Sequence, residues 1–170
     1  IVNTKEHVFE ADKLVIAAGS SKKVWELCKT LDHAVIDPVP SLFTFNIKDK
    51  RLVDLLGISV PNATVVISGT KLEASGPLLI THWGMSGPAV LKTSAWGARV
   101  LNNIDYSVKI QVNWLGMPNE EALRDFLEVE KPNIYKRKLR NKNPFELPNR
   151  LWEHFLEKLE IDPEGIWAEL

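Results

Sequence analysis

Pro77-Leu78-Leu79-Ile80-Thr81-His82-Trp83-Gly84-Met85-Ser86-Gly87-Pro88-Ala89-Val90-Leu91 is the most telling stretch of this 170-residue chain. An apolar run, Leu78 to Ile80, leads into a polar turn punctuated by glycine. Ser86 and Gly87-Pro88 then precede a helix-like stretch, Ala89 to Val100. A strand that delivers a glycine-rich turn onto a helix N-terminus presents free N–H groups and a positive dipole end. Such a turn can cradle an anion or an electron-rich ring edge. If the turn faces a ligand, Gly84 and Gly87 would serve positive φ angles or close approach, and the Ser86–Pro88 start would aim its N–H groups outward. If it is purely structural, it should be buried, with His82 and Ser86 satisfied by local backbone.

Ser86 has two readings. The order Gly84-Met85-Ser86-Gly87-Pro88 superficially resembles a hydrolase nucleophile elbow, but that motif is G-x-S-x-G and needs His and acid partners downstream. Pro at the first helical position and Ser near the N-cap are helix-start chemistry, which is the reading adopted. His82, the one titratable residue in the turn, is either a polar contact or proton shuttle, or a capping residue that bonds the turn's own backbone. Trp83 and Trp96 could stack on a ring, but their spacing favours core packing.

Outward from this stretch, Ile1 to Glu6 and His7 to Glu10 read as short strands, and Lys13 to Gly19 as a buried parallel-type strand ending in small residues. Ser20 or Ser21 can cap a helix from Lys22 to Leu31. Phe43, Phe45 and Ile47 alternate with Thr44 and Asn46, and Ile58 and Val60 flank Ser59. Thr64 to Ser68 is β-branched, Leu72 to Leu79 contains a glycine turn, and Val108 to Trp114 alternates again. A helical turn at Arg51 to Leu56 ends at Gly57. Met117-Pro118-Asn119 opens a helix through Glu128, Asn149 to Glu160 forms another, and Asp162 to Leu170 reads as helical. The pattern predicts an α+β fold, a β-barrel-like unit joined to a small helical unit. The first core should bury Phe43, Phe45, Val65, Ile67, Leu79, Ile110 and Val112. The second should bury Leu123, Phe126, Leu127, Leu151, Phe155 and Leu159.

A formal net charge of -1 argues against a nucleic-acid binder driven by phosphate neutralisation. Five cations in seven residues, Lys136 to Lys142, read as a solvated face. No apolar run nears the roughly 20 residues that cross a bilayer. The single Cys28 fits a reducing cytoplasm. His7, His33, His82 and His154 show no metal-ligand spacing, and there is no G-x-G-x-x-G fingerprint, P-loop or paired-cysteine zinc pattern. The chain opens inside a hairpin and closes inside a predicted helix, so it is expected to be an excised segment of a longer protein.

Thr81 to Leu91 resembles the T-H-x-G-x-S-G-P-A-x-L signature of aminoacetone-oxidase-like, NAD(P)/FAD-dependent oxidoreductases. Other stretches match the family in order. The strand ending at Ala17-Ala18-Gly19 carries Ser20 where a second glycine is usual. Leu31-Asp32-His33-Ala34-Val35-Ile36 has Asp32 in place of glycine. Pro38 to Phe45 is similar to the entry into an inserted domain, and Leu147-Pro148-Asn149-Arg150-Leu151 matches L-P-x-R-L.

The resemblance implies an insert domain from a Rossmann-type FAD-binding flavoprotein, covering the flavin and shaping the substrate pocket. Its divisions would be 1–37, the edge of the FAD-binding domain with a connecting helix; 38–115, the barrel-like subdomain; and 116–170, the helical subdomain. The cofactor-binding residues would be Ala17, Ala18, Gly19, Ser20, Thr81, His82, Gly84, Ser86 and Gly87, with His82 the candidate catalytic residue. FAD belongs to the full-length parent and is not expected to bind this segment tightly, because the chain lacks a pyrophosphate site. The implied partners are the rest of the FAD-binding domain and a small-molecule substrate, with no nucleic acid and no membrane. The competing reading is a stand-alone α+β binding or adaptor module without redox activity.

Overall fold

A computed structural model describes residues 1–170, which divide into two compact units, Ile1–Pro38 and Val39–Leu170. In the first, β1 (Val2–Asn3) and β2 (Val8–Phe9) pair antiparallel, Val2 against Phe9 and Asn3 against Val8. The Thr4 hydroxyl closes their turn, donating to His7 O at 2.9 Å and accepting from His7 N at 3.0 Å. Helix α1 (Lys22–Thr30) starts at Ser21, whose side chain makes no capping bond.

The predicted buried strand at Lys13 to Gly19 is not realised. The stretch has no ladder partner, and Leu14, Val15 and Ile16 are 60%, 86% and 47% exposed. A parallel-type strand is buried only when other strands flank it and helices cover both faces. This unit supplies neither.

The second unit is built on a five-stranded antiparallel sheet. Its strands are β3 (Phe45–Asn46), β4 (Ser59–Ile67), β5 (Glu73–Thr81), β6 (Gly84–Ser86) and β7 (Ile110–Asn113), in the order β3-β6-β5-β4-β7. Alternation puts Ala63, Val65 and Ile67 of β4 and Ala74, Leu78 and Ile80 of β5 into the core. A register shift between Val60 and Ala63 changes the parity of β4, so that Val60 is buried as well. Pro61 falls inside this shift, where a missing N–H is tolerated. The sheet curls into a half-barrel, because residues of both edge strands line the same clefts. Leu79 departs from expectation. It faces outward, 37% exposed, between inward Leu78 and Ile80.

Helix α2 (Pro88–Trp96) packs across this sheet through buried Ala89, Val90 and Thr93. Ser94 Oγ accepts a bond from Phe43 N at 3.0 Å and donates to Leu91 O at 2.9 Å, which ties the entry segment to the helix. The predicted single helix to Val100 is instead two, with α3 (Ala98–Asn103) beginning after Gly97. A Cβ at Gly97 would lie 2.8 Å from Thr93 O, so this junction needs glycine.

Helix α4 (Glu120–Ile134) is capped by Asn119, whose side chain accepts from Ala122 N at 2.8 Å. It runs beyond the expected end at Glu128, with Pro132 in its last turn. Helix α5 (Asn149–Lys158) serves two cores at once. Leu151 and Phe155 join the barrel cluster, correcting their assignment to a separate helical core. Trp152 and Leu156 join Ile134, Leu139 and Trp167. Trp152 and Trp167 stack at 6.0 Å and 9°. Their Nε1 groups donate to Leu139 O at 2.8 Å and Lys142 O at 2.9 Å. The predicted helix from Asp162 shrinks to a single 3-10 turn, Trp167–Glu169. Leu159 follows the end of α5 and is exposed.

Candidate functional site

Strands β5 and β6 meet in a two-residue turn, His82-Trp83, closed by the Thr81–Gly84 pair. Thr81 holds it: Oγ1 donates to Gly84 O at 3.3 Å and accepts from Trp83 N at 3.4 Å. Ile47 N donates to Trp83 O at 2.8 Å, fastening the tip to the end of β3. Of the two readings of His82, capping is not realised, since Thr81 bonds the turn and the exposed imidazole makes no hydrogen bond. Trp83 and Trp96 are 75% and 67% exposed, against the core packing expected of them.

Gly84 (φ 141°) and Gly87 (φ 99°) do adopt left-handed backbone, but what approaches them is their own chain. A Cβ on Gly84 would strike Phe45 O and Ile47 N, and one on Gly87 would sit 2.7 Å from Pro77 O. Ser86 ends β6 rather than capping α2, whose N-cap is Gly87 without a side-chain bond. The start of that helix is covered rather than aimed outward. Ala89 and Val90 are fully buried, and a Cβ on Gly76 would lie 3.6 Å from Ala89 N.

Beneath the tip lies a groove of about 500 Å³. Its walls include Ile47, Leu52, Val53 and Leu56 alongside His82 and Trp83. The carboxylate on its rim is already engaged. Asp49 accepts from Arg51 Nη2 at 2.6 Å and from Arg51 N at 2.9 Å. Those bonds hold its pKa down to about 2. Asp49 is thus no proton donor near neutrality, whereas His82 carries an unpaired imidazole in the same wall. An indole and an imidazole over an apolar floor can stack on a flat ring and pass it a proton. No cluster of three or more His, Cys, Asp or Glu could hold a metal.

The nine predicted cofactor residues fall in different units. Thr81, His82, Gly84, Ser86 and Gly87 share the hairpin, and only His82 of these is exposed. Ala17, Ala18, Gly19 and Ser20 end the unpaired stretch of the first unit, all exposed. Gly19 has φ 56° and open space where a Cβ would be. Binding FAD requires N–H groups free to take its pyrophosphate. With the start of α2 covered, the residues of the second unit do not fit the whole cofactor, though the tip offers a ring-sized surface. Sequence reasoning missed the groove wall from Ile47 to Leu56. The signal was the run Lys48-Asp49-Lys50-Arg51, which breaks the β alternation immediately after Ile47.

The family model for the HI0933-like protein barrel and H2TH domain matches residues 39–170, the whole of the second unit. A ribosomal RNA dihydrouridine synthase from Haemophilus influenzae is 37% identical over 78 residues, 45% of this chain and 19% of that protein. The chain thus matches about a fifth of that relative's length. It belongs to the HI0933-like barrel and H2TH domain family, a group of FAD-dependent oxidoreductase-like proteins.

Proposed function

We propose that this chain is the substrate-facing part of an FAD-dependent oxidoreductase of the aminoacetone-oxidase-like kind, with the hairpin tip turned to the flavin and substrate. Family membership across residues 39–170 carries this reading. The flavin would supply hydride transfer, fed by NAD(P)H, with its ADP half held by residues outside the second unit. Trp83 would stack on the reacting ring and shed water from it. His82 would donate or accept a proton at the atom opposite the hydride. Ala17 to Ser20 would let backbone pass close to the cofactor. Exposed Leu14, Val15 and Ile16 suit packing against the rest of an FAD-binding domain. A reducing, cytoplasmic setting suits the lone Cys28.

The purified parent protein tests this directly. It should carry flavin absorbance that NADH or NADPH bleaches, and His82→Ala should lower turnover by about 10²-fold with folding nearly intact. Colourless protein, or unchanged turnover in the variant, would contradict it.

A second reading is favoured by the 37% identity to a ribosomal RNA dihydrouridine synthase. Here the substrate is a uracil ring in RNA in place of the small molecule first expected. Its C5=C6 bond accepts a hydride on one carbon and a proton on the other, the latter from His82. The test is mass spectrometry of nucleosides from ribosomal RNA treated with the parent protein and NADPH. A uridine that gains two hydrogens supports the reading, and unchanged RNA counts against it.

A further inference from the structure

A second and larger cleft, about 870 Å³, opens at the seam where the half-barrel fails to close. Its floor is apolar and half-buried, formed by Val108, Ile110, Val112, Trp114 and Phe155. Trp114 and Phe155 sit 6.1 Å apart at 60°. Three lysines line it, Lys48 after β3, Lys109 before β7 and Lys158 at the end of α5, and none of them forms an ion pair. One carboxylate, Asp49, reaches the cleft, and Arg51 holds it. In a chain with 21 basic and 22 acidic residues, three free cations and no free carboxylate at one cleft is a local departure from balance. Lys48, Asp49 and Leu52 form a wall common to this cleft and to the groove under His82 and Trp83.

We infer that the seam cleft binds a single-stranded segment of RNA, with phosphates on Lys48, Lys109 and Lys158 and a base on the Trp114–Phe155 floor. This rests on the RNA reading above and assigns it a track, with the strand entering through the seam and its reacting base lying across the shared wall at the hairpin tip. An unstacked nucleotide joins a flat apolar face to an anion at short range, which is the combination this cleft offers. A duplex keeps its bases stacked inside and has nothing to give the floor.

Fluorescence anisotropy of this chain with a 5′-labelled, single-stranded 12-nucleotide RNA tests the assignment. The double variant Lys109→Gln/Lys158→Gln should weaken binding about tenfold and flatten the plot of log affinity against log salt by about 0.7 per lost phosphate contact. Lys136→Gln/Arg137→Gln, in the other basic stretch, should leave both unchanged, and the duplex of the same sequence should bind more weakly. Thermal melts establish that each variant is folded, and if the cleft double variant is not, Lys48→Gln serves in its place. Binding that survives loss of the cleft lysines, falls with Lys136 and Arg137, or favours the duplex overturns the cleft while leaving the RNA reading standing. No saturable binding of the single strand overturns the RNA reading and the cleft's occupant together.

Discussion

The two units use similar apolar runs to opposite effect. Leu14, Val15 and Ile16 are as apolar as Leu78, Leu79 and Ile80, yet no residue of Ile1–Pro38 is buried. In Val39–Leu170, Leu78 and Ile80 are 0% and 1% exposed. Composition does not separate them; neighbours do. β5 has β4 and β6 on its two sides and α2 across its face. The extended stretch of the first unit has no strand beside it. An apolar run states that a surface must be covered, and what covers it is decided elsewhere in the chain or outside it.

The comparison breaks most plainly at its extremes. Leu78→Ala should cost about 2–5 kcal/mol, the range for emptying a packed leucine site. Val15→Ala should stay within about 0.5 kcal/mol, as exposed substitutions do. Urea unfolding of the two variants checks this. Equal losses would mean that Val15 is packed in solution and that the contrast between the units is false.

What could be read in the sequence follows the same line. The alternation of Val65 and Ile67 and the β-branched stretch around them were enough to predict a strand and its inward face. Leu78-Leu79-Ile80 was not, because three consecutive apolar residues fit either parity. Only pairing with β4 and β6 selects Leu78 and Ile80. The turn at Thr81–Gly87 was legible as a site of unusual backbone. Its direction was not: Gly84 and Gly87 are explained by Phe45, Ile47 and Pro77, and Phe45 and Ile47, 39 and 37 positions before Gly84, cannot be matched to it from sequence order alone. Trp83 was assigned to the core because tryptophan usually belongs there, while a hairpin tip has no core beneath it.

A middle-sized effect sharpens the comparison at a glycine. Gly84→Ala should cost about 1–3 kcal/mol, since the new Cβ meets backbone at a φ that alanine avoids. Gly19→Ala carries the φ penalty alone, having open space around it. Thermal melts of both variants should therefore show the larger drop for Gly84, and the reverse order would undo the view that β3 presses on the hairpin.

The smallest effect concerns acid. Lys138 donates to Glu164 at 2.6 Å and Arg140 also bonds it, so its carboxyl is held below the ordinary range. A folded-state pKa that is depressed adds stability above the unfolded value, near 4.5, and loses it as pH falls through the folded value. Glu164→Gln should thus show a shallower fall in melting temperature below about pH 4.5 than the parent chain, most visibly at low salt. Glu26, paired with Lys29 one turn away in α1, links no distant segments. Glu26→Gln should cost less melting temperature at neutral pH than Glu164→Gln, and an equal loss in both variants would remove the distinction.

An unclosed half-barrel also leaves two sheet margins whose peptide groups could recruit a strand from another molecule. Here one margin, β3, is two residues long, and the other, β7, only four. Lys48 follows the first closely and Lys109 immediately precedes the second. A second copy approaching either margin would meet a like charge and too little ladder to hold. The lysines that line the seam thereby count against strand pairing through it.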